Sequence, residues 1–251
     1  MDIVQTFYDN LASDYDKLFA DWDATTKEHA LILDKIFVAN GFDKSRKILD
    51  CACGIGTQAI GLAKLGYNVT ASDISEAELD EAKRRAKERD AKIDFKKADF
   101  RNLSNAHSKK FDIIIAMDNA LPHMLTYHDL KSAIDSIINQ LESGGVFVAS
   151  IRDYDSLIET KPPYSPPYIH KTQNGKRVSF QTWDWRDNHY KLTQYIIDDE
   201  SDLNVNKFEC EYRAFKREEL TEMLLSTGCE VKWIFPDKTL FYQPIVVAKY
   251  Y

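Results

Sequence analysis

Apolar positions in this chain change their period along its length, and each change marks where one kind of element gives way to another. Between residues 47 and 151 short runs rich in Ile, Val and Phe alternate with stretches of helical spacing. The runs 47–51, 68–72, 93–97, 112–117 and 145–151 read as strands, while 57–65, 76–89 and 128–141 read as helices. Strands and helices in that alternation predict a parallel sheet with helices on both faces. Ser75 and Glu78 form a capping-box pattern ahead of the second of these helices, and Gly144-Gly145 closes the last.

Before this region, 2–20 and 26–40 read as helices, the second with Ala30, Leu31, Leu33, Ile36 and Phe37 on one face and Gly41 as a stop. After it the alternation breaks. Pro162-Pro163 and Pro166-Pro167 are too dense for a helix or a central strand and predict a stiff extended connector. Residues 178–184, 190–197 and 205–215 then alternate as strands, with turn signals at 186–189 and 198–204. They predict a three-stranded antiparallel insertion whose aromatics, Trp183, Trp185, Tyr190, Tyr195 and Tyr212, suit a lid that excludes water from a cation. A helix at 216–226 and strands near 230–235 and 241–249 would finish the sheet, the last returning antiparallel. The fold class expected is α/β: a doubly wound, mostly parallel seven-stranded sheet with a small antiparallel β insertion. Its expected divisions are a helical cap at 1–46, a core of 47–152 and 216–251, and the insertion at 153–215.

Composition narrows the function more than the fold. With 251 residues, 44% of them hydrophobic and 29% charged, the chain has the composition of an ordinary globular protein. A formal charge of −7, from 40 acidic and 33 basic residues, argues against a phosphate-backbone partner. The basic run Lys83-Arg84-Arg85-Ala86-Lys87 is flanked by Glu81 and Glu88 and reads as a solvated helix face. Cys51, Cys53, Cys210 and Cys229 are spaced neither as a disulfide framework nor as a zinc site, so no metal is expected. The first residues have no basic leader and no segment reaches 18 apolar residues, so a soluble cytoplasmic protein without a membrane partner is expected.

The candidate chemistry sits at the carboxyl ends of the expected strands, where ligands of such sheets gather. Asp50, Ala52, Gly54 and Gly56 form a strand–turn–helix whose glycines let the backbone approach a ligand. The third position of the G-x-G-x-x-G fingerprint holds Ala59, which its looser form tolerates, so the glycines alone decide nothing. Asp73, nineteen residues after Gly54, is suited to ribose hydroxyls. Asp99 suits the amino group of an adenine, and Phe100 and Met117 its faces; Asn119 and Arg152 close the list.

The series Asp50-Cys51-Ala52-Cys53-Gly54-Ile55-Gly56-Thr57, Asp73, Ala98-Asp99-Phe100 and Phe111-Asp112-Ile113-Ile114-Ile115 resembles the motifs of class I S-adenosylmethionine-dependent methyltransferases. More narrowly, Met117-Asp118-Asn119-Ala120-Leu121-Pro122-His123 and Arg152-Asp153-Tyr154-Asp155 look like the glycine and sarcosine N-methyltransferases. The resemblance implies S-adenosyl-L-methionine as cofactor, with Tyr15 and Trp22 over it, and the amine of a small amino acid such as glycine or sarcosine as acceptor. It brings His123 near the transferred methyl. Arg152 would clamp the acceptor's carboxylate, unless it pairs with Asp153 or Asp155, and Asn119 would orient the acceptor. Tyr212 joins these three as a candidate catalytic residue. Where the family has an arginine for the cofactor's own carboxylate, this chain has Thr25-Thr26-Lys27, and Lys27 offers only a point charge.

Three alternatives stay open: methyl transfer to a hydroxyl, thiol or carboxylate with His123 as base, a nicotinamide-dependent oxidoreductase, and a binding module without chemistry. The closing antiparallel hairpin speaks against the oxidoreductase, whose folds do not usually end that way.

Overall fold

The computed structural model describes residues 3–172, 175–198 and 204–251. Two helices lead, α1 (Ile3–Leu11) and α2 (Trp22–Ala39). The alternating region follows as β1 (Lys47–Asp50), α3 (Thr57–Lys64), β2 (Asn68–Asp73), α4 (Glu76–Glu88), β3 (Ile93–Lys97), β4 (Phe111–Ala116), α5 (Tyr127–Asn139) and β5 (Leu141–Ser150). Then come α6 (Tyr154–Thr160), β6 (Tyr168–Lys171), β7 (Lys176–Arg186), β8 (His189–Asp198), β9 (Asn204–Arg213), α7 (Arg217–Ser226), β10 (Cys229–Ile234), α8 (Pro236–Thr239) and β11 (Ile245–Tyr250).

The seven-stranded sheet has the order β10-β11-β5-β4-β1-β2-β3. Strands β1 to β5 pair in parallel, and β11 runs antiparallel to both of its neighbours, β5 and β10. Helices cover both faces, so central strands are apolar along their whole length: Ile48, Leu49, Ile113, Ile114, Val148 and Ala149 are all buried. Strand order reverses between β1 and β4, which opens a crevice beyond their carboxyl ends.

Four departures from the sequence pattern have physical causes. The expected helix 2–20 is α1 followed by a separate 3-10 turn, Tyr15–Leu18. Ser13 and Asp14 favour local hydrogen bonding over helix interior at the break. The insertion has four strands, β6-β7-β8-β9, where three were expected. Tyr168, Ile169 and Lys171 of β6 are all exposed, so that strand carries no buried face for alternation to reveal. Helix α6 is seven residues long, too short for a helical period, and is anchored by the buried Tyr154. Strand β5 starts at Leu141 and runs through Gly144-Gly145, which read as a break but sit where the β4–β5 register shifts. The turn expected at 198–204 falls mainly on residues outside those described. No helix among the described residues is long and apolar enough to cross a membrane.

Candidate active site

The turn after β1 is shaped by two positive-φ glycines, Gly54 at 50° and Gly56 at 90°, the second serving as N-cap of α3. Gly54 N–H donates to Asp73 Oδ2 at 2.9 Å, and Ser75 N–H donates to Asp73 Oδ1 at 3.0 Å. Two backbone amides therefore aim this carboxylate while leaving each oxygen a further lone pair. Burial raises the Asp73 pKa in spite of those amides. Half of the capping box forms: Ser75 Oγ accepts from Glu78 N–H at 3.1 Å and gives its own proton to Asp9 Oδ1 of α1 at 2.6 Å. The other half does not, because Ser75 N–H is already bound to Asp73. Both Glu78 carboxylate oxygens are buried without a partner among the described residues, and a Cβ on Gly54 would lie 2.6 Å from Glu78 Oε2. Burial, then the charge of Asp73, push the Glu78 pKa well up.

Two cavities lie along the crevice. The smaller, about 290 Å³, is walled by Tyr8, Tyr15, Ala52, Gly54, Asp73, Glu78, Asp99, Phe100, Met117 and His123. The larger, about 720 Å³, is walled by Asn119, Arg152, Gln181, Trp183 and Tyr212 among others. Tyr8, Tyr15 and Asp118 belong to both walls. The smaller cavity fits an adenosine-bearing ligand: it offers an amide-oriented carboxylate, a glycine turn bare of side chains, apolar faces at Phe100 and Met117, and orphaned acceptors at Glu78.

Asp99 reaches that cavity, but Arg101 lies across its carboxylate, with Nε at 3.0 and 2.8 Å from the two oxygens. Asp99 also caps the 3-10 helix Phe100–Asn105. Three expected cofactor residues line neither cavity. Gly56 acts through the turn. Asp50 is buried below it, with Oδ1 3.4 Å from Ala52 N, Oδ2 unpartnered among the described residues and a pKa raised well up by burial. Trp22 packs with Ile55, Ile60 and Ala86, donates from Nε1 to Thr57 Oγ1 at 2.9 Å, and carries the guanidinium groups of Arg85 and Arg89 over its ring at 4.7 and 4.8 Å. It props the turn from behind. Arg85 thus leaves the solvated face it was read on: it is buried and paired with Glu81 and Asp16. Lys27 is exposed. The polar cluster nearby is built instead from His29, Gln58 and Asp118, with Gln58 Nε2 3.1 Å from His29 Nδ1 and 2.7 Å from Asp118 Oδ2.

Arg152 pairs with neither Asp153 nor Asp155, which are taken by Arg217. Its Nη1 donates to Tyr190 OH at 2.7 Å, its Nη2 to Gln181 Oε1 at 3.0 Å, and its guanidinium lies over Trp183 and Tyr212 at 5.1 and 5.5 Å. No carboxylate among the described residues forms an ion pair with it. Asn119 is spent on structure: Oδ1 accepts from Arg152 N–H at 3.0 Å and Nδ2 donates to Tyr154 OH at 3.0 Å, so it orients Arg152.

His123 lies 2.7 Å from Tyr8 OH through Nε2, and its ring centroid is 4.3 Å from that of Tyr212. Burial first, then the charge of Arg152, hold its pKa down at about 3, so the imidazole is neutral. Sequence reasoning gave no site role to Tyr8, Gln58 or Gln181, read Glu78 only as a helix cap, and took Asp118 only as part of the strand-end run 117–119. The signal available for Asp118 was its place beside Asn119 at a strand end, where both residues adopt positive φ, 54° and 70°.

Residues 48–145 match the family of the methyltransferase domain. A glycine/sarcosine N-methyltransferase from Parasynechococcus marenigrum is 28% identical over 155 residues, which cover 62% of this chain; the chain spans about half of that relative's length, 54%. Among solved structures, an S-adenosylmethionine-dependent methyltransferase from Clostridium acetobutylicum superposes with a TM-score of 0.77 at 22% identity, over 97% of this chain and 98% of the other. An amino pentose methyltransferase from Micromonospora echinaspora, with S-adenosylmethionine bound, gives 0.74 at 16% identity over 90% and 92%.

Proposed function

We propose, from a chain whose residues 48–145 form a methyltransferase domain with S-adenosylmethionine as cofactor, that it methylates the amine of an amino acid. Glycine and sarcosine, which the names of its sequence relatives carry, are the smallest members of that class. The observation that carries the reading is Arg152, a guanidinium in the larger cavity whose protein contacts are all neutral oxygens and aromatic faces. Such a group matches an acceptor's carboxylate.

The cofactor supplies a methyl group on a positively charged sulfur. Asp73, Ala52 and Gly54 would hold its nucleoside part in the smaller cavity, with its methionyl part reaching towards the larger one that the acceptor would share. Tyr8, Tyr15 and Asp118 mark where the two spaces meet, so alignment across that wall is what this chain contributes, an effect worth up to about 7–11 kcal/mol in intramolecular analogies. A histidine whose pKa is about 3 is a poor acceptor for an alcohol's proton at neutral pH, which favours an amine over a hydroxyl.

Arg152 provides the test. Arg152→Lys keeps the charge but loses the fork, and is expected to raise the acceptor KM strongly with little change in affinity for S-adenosylhomocysteine. Arg152→Ala should cost about 2–5 kcal/mol in kcat/KM. If both variants methylate an amino acid as well as the wild type, the clamp is wrong.

A further inference from the structure

The smaller cavity is lined for a nucleoside, yet the rest of the cofactor is an α-amino acid that needs partners for an ammonium and a carboxylate. At the positions where the resemblance implies an arginine for that carboxylate, Lys27 is exposed, and Thr25 Oγ1 gives its proton to the Asp21 carbonyl at 2.9 Å. Three linked side chains span the two cavities instead: Gln58 walls the smaller, His29 the larger, and Asp118 both.

The protons of this chain of groups can be placed one from another. Asp118 Oδ2 accepts from Gln58 Nε2 at 2.7 Å, and Oδ1 accepts from Tyr242 OH at 2.8 Å. A carboxylate only accepts, so the Gln58 group that faces it is the NH2, and the same nitrogen stands 3.1 Å from His29 Nδ1. An amide nitrogen has no lone pair to offer, which makes Nδ1 the acceptor. Burial lowers the His29 pKa in spite of Asp118, so at neutral pH the ring carries one proton, on Nε2. Phe241 and Tyr242 pack against the ring with centroids 4.5 and 6.0 Å away and fix its place. Nε2 makes no hydrogen bond among the described residues and is not one of their buried atoms left without a partner, so its N–H opens onto the cavity that His29 lines. Asp118 complements it. Both of its partners are neutral donors, and no cation among the described residues forms an ion pair with it.

We propose that the amino-acid end of the cofactor is held without an arginine, its ammonium on the Asp118 carboxylate and its carboxylate on the N–H of His29 Nε2. Gln58 is a positioning residue, since its NH2 group fixes which nitrogen of His29 carries the proton. The assignment rests on the reading above in one respect: Arg152 serves the acceptor, which leaves the cofactor's zwitterion for His29 and Asp118.

The test is calorimetry on the full chain with S-adenosylhomocysteine, its decarboxylated and deaminated forms, and methylthioadenosine, which lacks the amino-acid end. The wild type should bind S-adenosylhomocysteine at least tenfold more tightly than methylthioadenosine; equal affinity overturns the inference before any variant is made. His29→Leu is expected to weaken S-adenosylhomocysteine and its deaminated form at least tenfold while leaving the decarboxylated form and methylthioadenosine within twofold. His29→Gln returns an N–H near the Nε2 position and should recover most of that loss. Asp118→Asn should give the crossed pattern, with S-adenosylhomocysteine and the decarboxylated form weakened and the other two unchanged. An equal loss for every ligand in these variants would make the residues structural and overturn the inference, as would an Asp118→Asn variant that keeps every affinity. If His29→Leu has no effect and Arg152→Ala weakens S-adenosylhomocysteine tenfold, the cofactor's carboxylate sits on Arg152 and the acceptor clamp falls with this inference. If neither has an effect on S-adenosylhomocysteine, this inference falls alone.

Discussion

Asp73 shows how much of this site is set by single residues whose orientation is fixed before any ligand arrives. Both of its oxygens are aimed by backbone N–H groups, so a ligand's hydroxyls meet an acceptor already in place. Asp73→Ala should weaken S-adenosylhomocysteine binding at least tenfold by calorimetry, since each charge-assisted hydrogen bond is worth about 1.5–3 kcal/mol; unchanged affinity would remove Asp73 from the site. Glu78 behaves in the opposite way. Its folded-state pKa is raised, so the stability it permits is fully present below the unfolded value of about 4.3 and is lost as pH rises through the folded value. Glu78→Gln should therefore raise the melting temperature of the ligand-less protein more at pH 8 than at pH 4. An equal shift at both would show that the carboxyl's pKa is the same in the folded and unfolded chains. Asp73 and Arg152 could be read from the sequence as cavity residues because each stands just at or after a strand end, and His123 because its motif follows one. Tyr8 could not, because its place depends on α1 docking against β9 some two hundred residues away. Trp22 misled for a related reason: the ring that a sequence offers to a cofactor is claimed in the fold by two arginines of α4.

At the scale of elements, apolar spacing sufficed for the strands and longer helices with substantial buried surface, and failed for short or exposed ones. The parallel strands and the long helices are where apolar spacing puts them, within a few residues. Strand β6 and helix α6 escaped it, one exposed and the other a seven-residue link. The insertion is also less detachable than a lid of separate composition suggests. Leu192, Ile196, Cys210 and Tyr212 share one buried cluster with Leu49, Ile114 and Phe147 of the main sheet. The turn between β1 and α3 is sensitive to a single methyl group. At Gly56, φ is 90° and an added Cβ would stand 2.9 Å from Ile60 Cδ1. Gly56→Ala should cost about 1–2 kcal/mol from the left-handed backbone alone. For a chain of this length that is a fall in melting temperature of roughly 2–8 °C, with a larger loss in cofactor affinity. A variant as stable as the wild type would show that the turn relaxes without consequence.

At the scale of the whole molecule, one hydroxyl joins parts that the chain order keeps apart. Ser75 receives the α4 cap bond, lends its N–H to Asp73, and gives its proton to Asp9 on α1. Helix α1 carries Tyr8 next to Asp9, and Tyr8 reaches His123 and walls both cavities. Docking of α1 and occupation of the smaller cavity are therefore expected to be coupled. If both ligands favour the docked helix, each tightens the binding of the other, and by the same factor. Asp9→Ala should pull this coupling factor towards one, measured as acceptor affinity with and without S-adenosylhomocysteine; an unchanged factor would show that α1 does not link the two cavities.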